Sequence, residues 1–117
     1  MDYRHFAVVR AKDVLTLQLN DPKLFDAATI TALQDELIDL VDLEQPLKVI
    51  VDFSHVAHCS TAVINGLLRA KKRIAARDGK LMLCGMTNPI REAYKMLNLD
   101  GTVFQIHNTP EDAAKAF

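Results

Sequence analysis

The chain has 117 residues, of which 50% are hydrophobic and 25% charged, the average composition of a soluble globular domain. This length predicts a single domain over residues 1–117. The 14 basic and 15 acidic side chains nearly cancel to a net charge of -1, which argues against the basic footprint of a general nucleic-acid binder. No apolar run approaches the roughly 18 residues that a membrane span needs, so we expect a cytoplasmic protein without direct membrane insertion.

The first third of the chain predicts a β-hairpin followed by a helix. Leu15, Leu17 and Leu19 alternate with polar residues, which is typical of a half-buried strand. From Asp26 onwards apolar residues recur at helical spacing with acids between them, until Gln45-Pro46 ends the pattern. The predicted elements are strands over 3–10 and 14–20 and a helix over 26–44.

The middle of the chain predicts a buried strand and a second helix. Residues 47–53 are apolar and rich in β-branched side chains, the pattern of a strand that is covered on both faces. Residues 60–78 then show apolar residues at helical spacing and end at Asp78-Gly79, where Gly79 suits the first position beyond a helix.

The last third repeats this alternation of strand and helix. We predict strands over 80–86 and 103–107, a helix over 88–99 with Asn88 as N-cap, and a terminal helix that Thr109 caps. The order β-β-α-β-α-β-α-β-α predicts an α/β fold with a mixed β-sheet. An N-terminal hairpin and parallel strands from βαβ units form this sheet, and about four helices cover it.

The sequence offers little support for catalysis or for a cofactor. The four glycines form neither of the common nucleotide-binding loops. Ser60 and Thr61 lie near His58 in sequence, but the chain has no nucleophile-elbow motif and no assignable third member of a triad. We therefore expect a protein that is not an enzyme, without catalytic residues and without a cofactor.

The segment between the buried strand and the second helix concentrates polar side chains. Asp52, His55, His58 and Cys59 are each permissible zinc ligands, but their spacing matches no zinc signature. We expect no metal site and keep a metal- or ligand-binding module as an alternative. An aspartate at a strand end more often accepts hydrogen bonds within its own loop. Cys59 and Cys84 are predicted to be reduced, small buried residues.

Two further features of the second helix have both a structural and a functional interpretation. Arg69, Arg73 and Arg77 form one basic stripe, which is either a solvated helix face or a docking surface for an acidic partner. Ser60 and Thr61 stand where an N-cap hydroxyl is expected, worth about 1 kcal/mol. A phosphate is also tolerated at a helix N-terminus, so a modification switch is the functional alternative.

Residues 49–64, VIVDFSHVAHCSTAVI, resemble the STAS domain family, which includes bacterial anti-sigma factor antagonists and the tails of sulphate transporters. They are similar to the family's hydrophobic strand, its D-[LF]-S-x-V turn and the D-S-[ST]-G-L start of its switch helix. Residues 80–85 and 90–99 resemble the strand and helix that follow. The resemblance implies that Thr61 takes the place of the phosphorylated serine, with Ser60 in the position of the preceding Asp and Val63 in that of the Gly.

The resemblance implies a non-enzymatic regulator that binds an anti-sigma factor or a serine kinase and is switched by phosphorylation at Thr61, with Ser60 as the alternative acceptor. The rival is a constitutive STAS scaffold or assembly subunit, in a signalling complex or a lipid-transporting ABC complex, that is not phosphorylated. The sequence leaves the oligomeric state undecided, with a homodimer as one option. The predicted partner-binding residues are Asp52, Ser54, His55, His58, Ser60, Thr61, Ile64, Asn65 and Arg69.

Overall fold

The computed structural model describes residues 3–117, which form strands and helices in the predicted alternation. Two short strands that the sequence analysis did not predict add to this order. The elements are β1 (Phe6–Ala11), β2 (Val14–Leu19), β3 (Lys23–Leu24), α1 (Ala27–Glu44), β4 (Lys48–Asp52), β5 (His58–Cys59), α2 (Val63–Ala75), β6 (Lys80–Cys84), α3 (Asn88–Met96), β7 (Gln105–His107) and α4 (Pro110–Lys115).

A five-stranded mixed sheet forms the centre of the fold, in the order β1-β2-β4-β6-β7. The hairpin strands β1 and β2 pair antiparallel, and each later neighbour pairs parallel. Strand β4 lies in the middle, and Val49, Ile50 and Val51 are almost completely buried, as the apolar run predicts. The predicted fold class, an α/β fold with a mixed β-sheet and, in residues 3–117, four helices, is therefore confirmed.

The two faces of the sheet are covered unequally. Buried residues of α1, α2 and α3 join one large cluster with Val49 and Val51, whereas Ile50, Met82 and Cys84 face a small cluster with Ala113 of α4. This division follows from the alternation of side chains along a strand. The carboxyl ends of β4 and β6, where Asp52 and Cys84 pair, define the edge that carries the site described below.

Short strands β3 and β5 pair with each other in parallel, outside the main sheet. Lys23 lies opposite His58, and Leu24 lies opposite Cys59. Two residues are too few for a periodicity signal, so the sequence pattern could not indicate this pairing.

Helix α2 is shorter than predicted at both ends. It begins at Val63 rather than at residue 60, because β5 holds residues 58–59 extended and residues 60–62 form a turn. It ends at Ala75, and the left-handed residue beyond it is Asp78, with φ 63°, rather than Gly79. The backbone N–H of Gly79 nevertheless donates to the carbonyl of Ile74, which closes the helix end.

The other helix ends follow the predicted chemistry except in α3, whose cap shifts and which ends at Met96 rather than at residue 99, with Asn98 in the left-handed conformation beyond it. Asp26 caps α1, and its side chain accepts from the N–H of Thr29 at 2.8 Å, while Gln45 adopts the left-handed conformation that ends the helix. Thr87, not Asn88, caps α3, because Asn88 already forms part of the helix. Thr109 caps α4 as predicted.

Candidate functional site

The turn that carries Ser60 and Thr61 lies at the carboxyl edge of the parallel strands, between β5 and α2. Backbone hydrogen bonds fix the approach to this turn. The N–H groups of Ala57 and His58 both donate to the carbonyl of Pro22, at 2.8 and 3.1 Å. The N–H of Ser60 donates to the carbonyl of Leu24 at 2.8 Å. The segment before Thr61 is thus held as a short strand.

Within the turn, most backbone N–H groups already have acceptors. The hydroxyl of Ser60 accepts from the N–H of Ala62 at 3.2 Å, and the carbonyl of Ser60 accepts from Val63 at 3.3 Å. The N–H of Ile64 donates to the carbonyl of Thr61 at 3.0 Å. Ser60 therefore caps the turn rather than the first helical residues, and Ala62 is the residue that precedes the helix.

Thr61 is exposed and lies two residues before α2. The sequence pattern predicts Thr61 in the first turn of a longer helix, whereas in the structure it lies in the turn just before the helix. The reason is the pairing of β5 with β3, which delays the start of the helix. Its position still leaves the side chain at the surface at the N-terminal end of α2.

An exposed aromatic side chain lies beside this turn. The ring centroid of Phe25 lies 5.9 Å from that of His58, and Phe25 has 58% of its surface exposed. A shallow pocket of about 110 Å³ separates residues 57–61 from α3, where Pro89, Ala93 and Tyr94 line it. Phe25 and the α3 residues were absent from the predicted site, because they are distant from Thr61 in sequence and belong to no motif.

The structure divides the predicted partner-binding residues by exposure. Asp52 and Ile64 are buried, with 4% and 7% of their surface exposed, so neither can contribute directly to a contact surface. Ser60 is half-buried. The remaining residues are exposed: Ser54, His55, His58, Thr61, Asn65 and Arg69.

Asp52 holds the loop that leads to the turn. Its Oδ1 accepts from the backbone N–H of Ser54 at 2.9 Å and from the hydroxyl of the same residue at 2.5 Å. Gly85, directly after the neighbouring strand β6, makes room for this pair, since a Cβ there would lie 2.5 Å from Asp52 Oδ1 and 2.5 Å from Ser54 Oγ. Asp52 therefore has the local structural role that its position at a strand end suggested.

Neither cysteine has the environment of a reactive thiol. Both are free, with Cys59 half-buried and Cys84 buried. Burial raises the pKa of Cys59 to about 11. Burial, together with the nearby Asp52 carboxylate, raises the pKa of Cys84 still further. Both side chains are thus protonated thiols near neutral pH, unlike the thiolates that serve as nucleophiles or metal ligands.

The alternative of a metal site finds no geometric support in residues 3–117. Within that range, no three His, Cys, Asp or Glu side chains come close enough together to hold an ion. Asp52 is buried against Ser54, whereas His55 and His58 are exposed.

The basic stripe of α2 is not a uniform free surface. Arg73 Nη1 binds both carboxylate oxygens of Asp42 on α1, at 2.7 and 2.6 Å. Arg77 is half-buried, and Arg69 is exposed. Arg73 therefore joins two helices, which leaves Arg69 as the member of the stripe nearest to the turn.

The family comparison covers nearly the whole chain. A model of the STAS domain family matches residues 5–113. No curated protein sequence matches the chain significantly.

Solved structures share this fold at low sequence identity. An anti-sigma-factor antagonist (STAS) domain protein from Planctomyces limnophilus superimposes with a TM-score of 0.81 at 20% identity, over 95% of this chain and 96% of that one. The Bacillus cell fate determinant SpoIIAA in its phosphorylated form gives 0.69 at 13%, over 95% and 97%. A sulfate transporter family protein from Wolinella succinogenes gives 0.72 at 16%, over 92% and 87%. At such low identities, the superpositions establish a common fold and no more.

Among residues 3–117, no helix combines the length and the apolar character that crossing a bilayer requires.

Proposed function

Because the chain belongs to the STAS domain family, we propose that it is a regulatory protein-binding domain that acts as an anti-sigma factor antagonist. Its partner is an anti-sigma factor or a serine kinase, and phosphorylation at Thr61 switches the binding. The domain is non-enzymatic, needs no cofactor and works in the cytoplasm as a single domain over residues 1–117. A homodimer is compatible with this role.

The observation that carries the proposal is the exposure of Thr61 in a turn whose other parts are fixed. The hydroxyl-bearing residue is accessible, while its neighbours Ser60 and Ala62 are tied by hydrogen bonds to β3 and to each other. Ser60 is the weaker candidate acceptor, because the residue is half-buried and its hydroxyl already accepts from the N–H of Ala62. A kinase can reach Thr61 without unfolding the turn.

We propose a contact surface that combines Thr61 with exposed residues from three parts of the chain. His58 and the exposed ring of Phe25 form one part, and Asn65 and Arg69 on α2 form another. The loop residues Ser54 and His55 complete it. Such a surface combines an aromatic anchor with polar neighbours, a composition that is typical of protein interfaces.

Phosphorylation acts on this surface through charge. A phosphate adds nearly two negative charges at neutral pH. Inside the fold these charges lie near the N-terminus of α2, whose first turn contains no acidic residue, so the helix dipole tolerates them. In a complex, an unpaired charge buried at the contact costs several kcal/mol. The modification therefore weakens binding far more than folding.

A constitutive scaffold is the second candidate function. The similarity to a sulfate transporter family protein supports it, because that likeness is compatible with a STAS unit that serves within a larger assembly. In that case the same surface binds permanently, in a signalling complex or a lipid-transporting ABC complex, and Thr61 is not modified.

The test compares Thr61→Glu and Thr61→Ala with the wild type, and uses Thr102→Ala as a control at another exposed threonine. We expect Thr61→Glu to melt close to the wild-type temperature and to lose the partner that the wild type captures from host lysate. The captured protein is identified by mass spectrometry, and phosphorylation is measured by intact mass and peptide mapping. If Thr61→Glu keeps the partner and the native chain carries no phosphate, the scaffold function replaces the switch.

A further inference from the structure

Helix α1 reaches the turn of Thr61 through one side chain. Nε2 of Gln34 donates to the carbonyl of Ala62, across a distance of 3.2 Å. Ala62 lies between Thr61 and the first residue of α2, and its own N–H donates to the hydroxyl of Ser60. Both backbone polar groups of Ala62 are therefore bound by side chains from outside the helix.

Gly66 makes this contact possible. A Cβ on Gly66 would lie 2.3 Å from Cγ of Gln34 and 3.0 Å from its Cδ. The side chain of Gln34 thus lies flat against the backbone of α2, in space that any other residue would fill. Glycine weakens the interior of a helix, so the close approach of Gln34 gives a physical reason for glycine at this position.

One stretch of chain therefore holds the turn from two directions. Pro22 and Leu24 bind the residues that precede Thr61, through backbone hydrogen bonds. About a dozen residues later in the chain, Gln34 binds the residue that follows Thr61. Between these contacts the side chain of Thr61 stays exposed.

We propose that Gln34 is a positioning residue for Thr61. By binding the carbonyl of Ala62 it fixes the orientation of the turn and the start of α2, and it couples α1 to the site. A change in α1 then reaches Thr61 without direct contact. The importance of this coupling for regulation rests on the proposed function, whereas the positioning itself is a property of the isolated chain.

The first test replaces Gln34 by Met, which keeps the length of the side chain and removes the N–H donor. Gln105→Met, at an exposed glutamine of β7, is the matched control. We expect the ¹³C resonance of the Ala62 carbonyl to move upfield in Gln34→Met. We also expect hydrogen exchange at Ala62, Val63 and Ile64 to accelerate about fivefold, the equivalent of one lost hydrogen bond.

An unchanged Ala62 carbonyl resonance in Gln34→Met would overturn the proposal. So would exchange that accelerates uniformly over the whole chain, because a general loss of stability has that signature. The Gln105→Met control should leave the Ala62 resonance and the three amides as they are in the wild type.

A second variant, Gly66→Ala, tests the same contact from the other helix. The new Cβ displaces Gln34, so we expect the same upfield shift at Ala62, although the side chain of Gln34 is intact. If Gly66→Ala leaves the resonance of Ala62 unchanged, the contact does not control the turn.

These measurements need neither a kinase nor a partner. If Thr61 proves to be unmodified in the host while Gln34→Met still shifts the Ala62 resonance, the positioning role stands and the switch alone is lost. If the Ala62 resonance does not shift in Gln34→Met while Thr61 is phosphorylated in the host, the switch stands and the positioning role is lost.

Discussion

At the scale of single residues, Gly85 shows how tightly the carboxyl edge of the sheet is packed. It adopts φ +73°, which side chains rarely allow, and a Cβ there would press on Asp52 and on the backbone and side chain of Ser54. Gly101 also has a positive φ, of +84°, but a Cβ there would meet nothing within 4 Å. A substitution at Gly101 therefore introduces backbone strain alone, whereas one at Gly85 introduces both strain and crowding.

We predict that Gly85→Ala lowers the free energy of unfolding by roughly 3 kcal/mol, since strain and overpacking add. Gly101→Ala should cost only about 1 kcal/mol, the strain alone. Urea denaturation of both variants measures the difference. Equal losses would mean that the contact with Asp52 and Ser54 relaxes without cost.

The two cysteines give a second prediction at this scale. Because burial raises the pKa of both thiols, neither should react quickly with a thiol reagent near pH 8 in the native protein. Cys59, which is only half-buried, should react before Cys84. After denaturation without reductant both should titrate, and a count below two would reveal a disulfide.

At the scale of elements, Arg91 connects α3 to the last strand and its flanking loops. Its Nε donates to Asp100 at 3.1 Å, its Nη1 to the side chain of Asn108 at 3.1 Å, and its Nη2 to the carbonyl of Ile106 at 3.0 Å. Three acceptors in different directions match the fork of a guanidinium, which lysine lacks.

We predict that Arg91→Lys costs about 1–2 kcal/mol of stability, because lysine leaves at least one partly buried acceptor unbound. Arg73→Lys, at the exposed pair with Asp42 between α1 and α2, is the matched control and should cost under about 1 kcal/mol. Thermal or urea unfolding provides the comparison. A cost at Arg73 equal to that at Arg91 would contradict the assigned difference.

The elements also show what could be predicted from the sequence. The central strand and the first helix could be predicted, because an unbroken apolar run indicates the strand and a helical periodicity over many residues indicates the helix, which Asp26 and Gln45 end by local chemistry. The start of α2 could not be predicted, since it depends on the pairing of Leu24 with Cys59, two residues that are far apart in sequence.

The same distinction applies to the candidate site. The loop around Thr61 could be identified from contiguous residues, whereas Phe25 and Gln34 reach it only through the tertiary fold. The burial of Ile64 could have been predicted, because it lies on the apolar stripe of α2 with Leu67 and Ile74. Phenylalanine is usually buried in folded proteins, and nothing in the sequence around Phe25 indicates that its ring is exposed.

At the scale of the whole molecule, charged hydrogen bonds make stability depend on pH. The pKa of Asp13 is lowered by Lys48, that of Asp26 by the N–H of Thr29, and that of Glu44 by Arg10. A carboxylate whose pKa is lower in the folded state stabilises the fold above its ordinary pKa, here 3.8 or 4.5. Its contribution disappears as the pH falls through the folded-state value.

We therefore predict that the melting temperature is level near neutral pH and falls as the pH drops below about 4.5, the upper of these ordinary values. Asp26→Asn keeps a capping side chain but removes the charge whose stabilisation depends on pH, so it should melt below the wild type at pH 7, lose less on acidification and converge with the wild type in acid. Melting curves between pH 7 and pH 2 measure both effects. A variant that falls as steeply as the wild type would exclude Asp26 as a contributor.

The order of strands across the main sheet is the same as their order along the chain, β1-β2-β4-β6-β7. No later strand of that sheet has to insert between two that are already paired, so the sheet can grow outward from the hairpin while the ribosome is still adding residues. Helix α4 follows β7 and covers Ile50, Met82 and Cys84. Until Pro110 and the residues of α4 have been synthesised, this second face stays uncovered, and the nascent sheet is exposed to aggregation during that time.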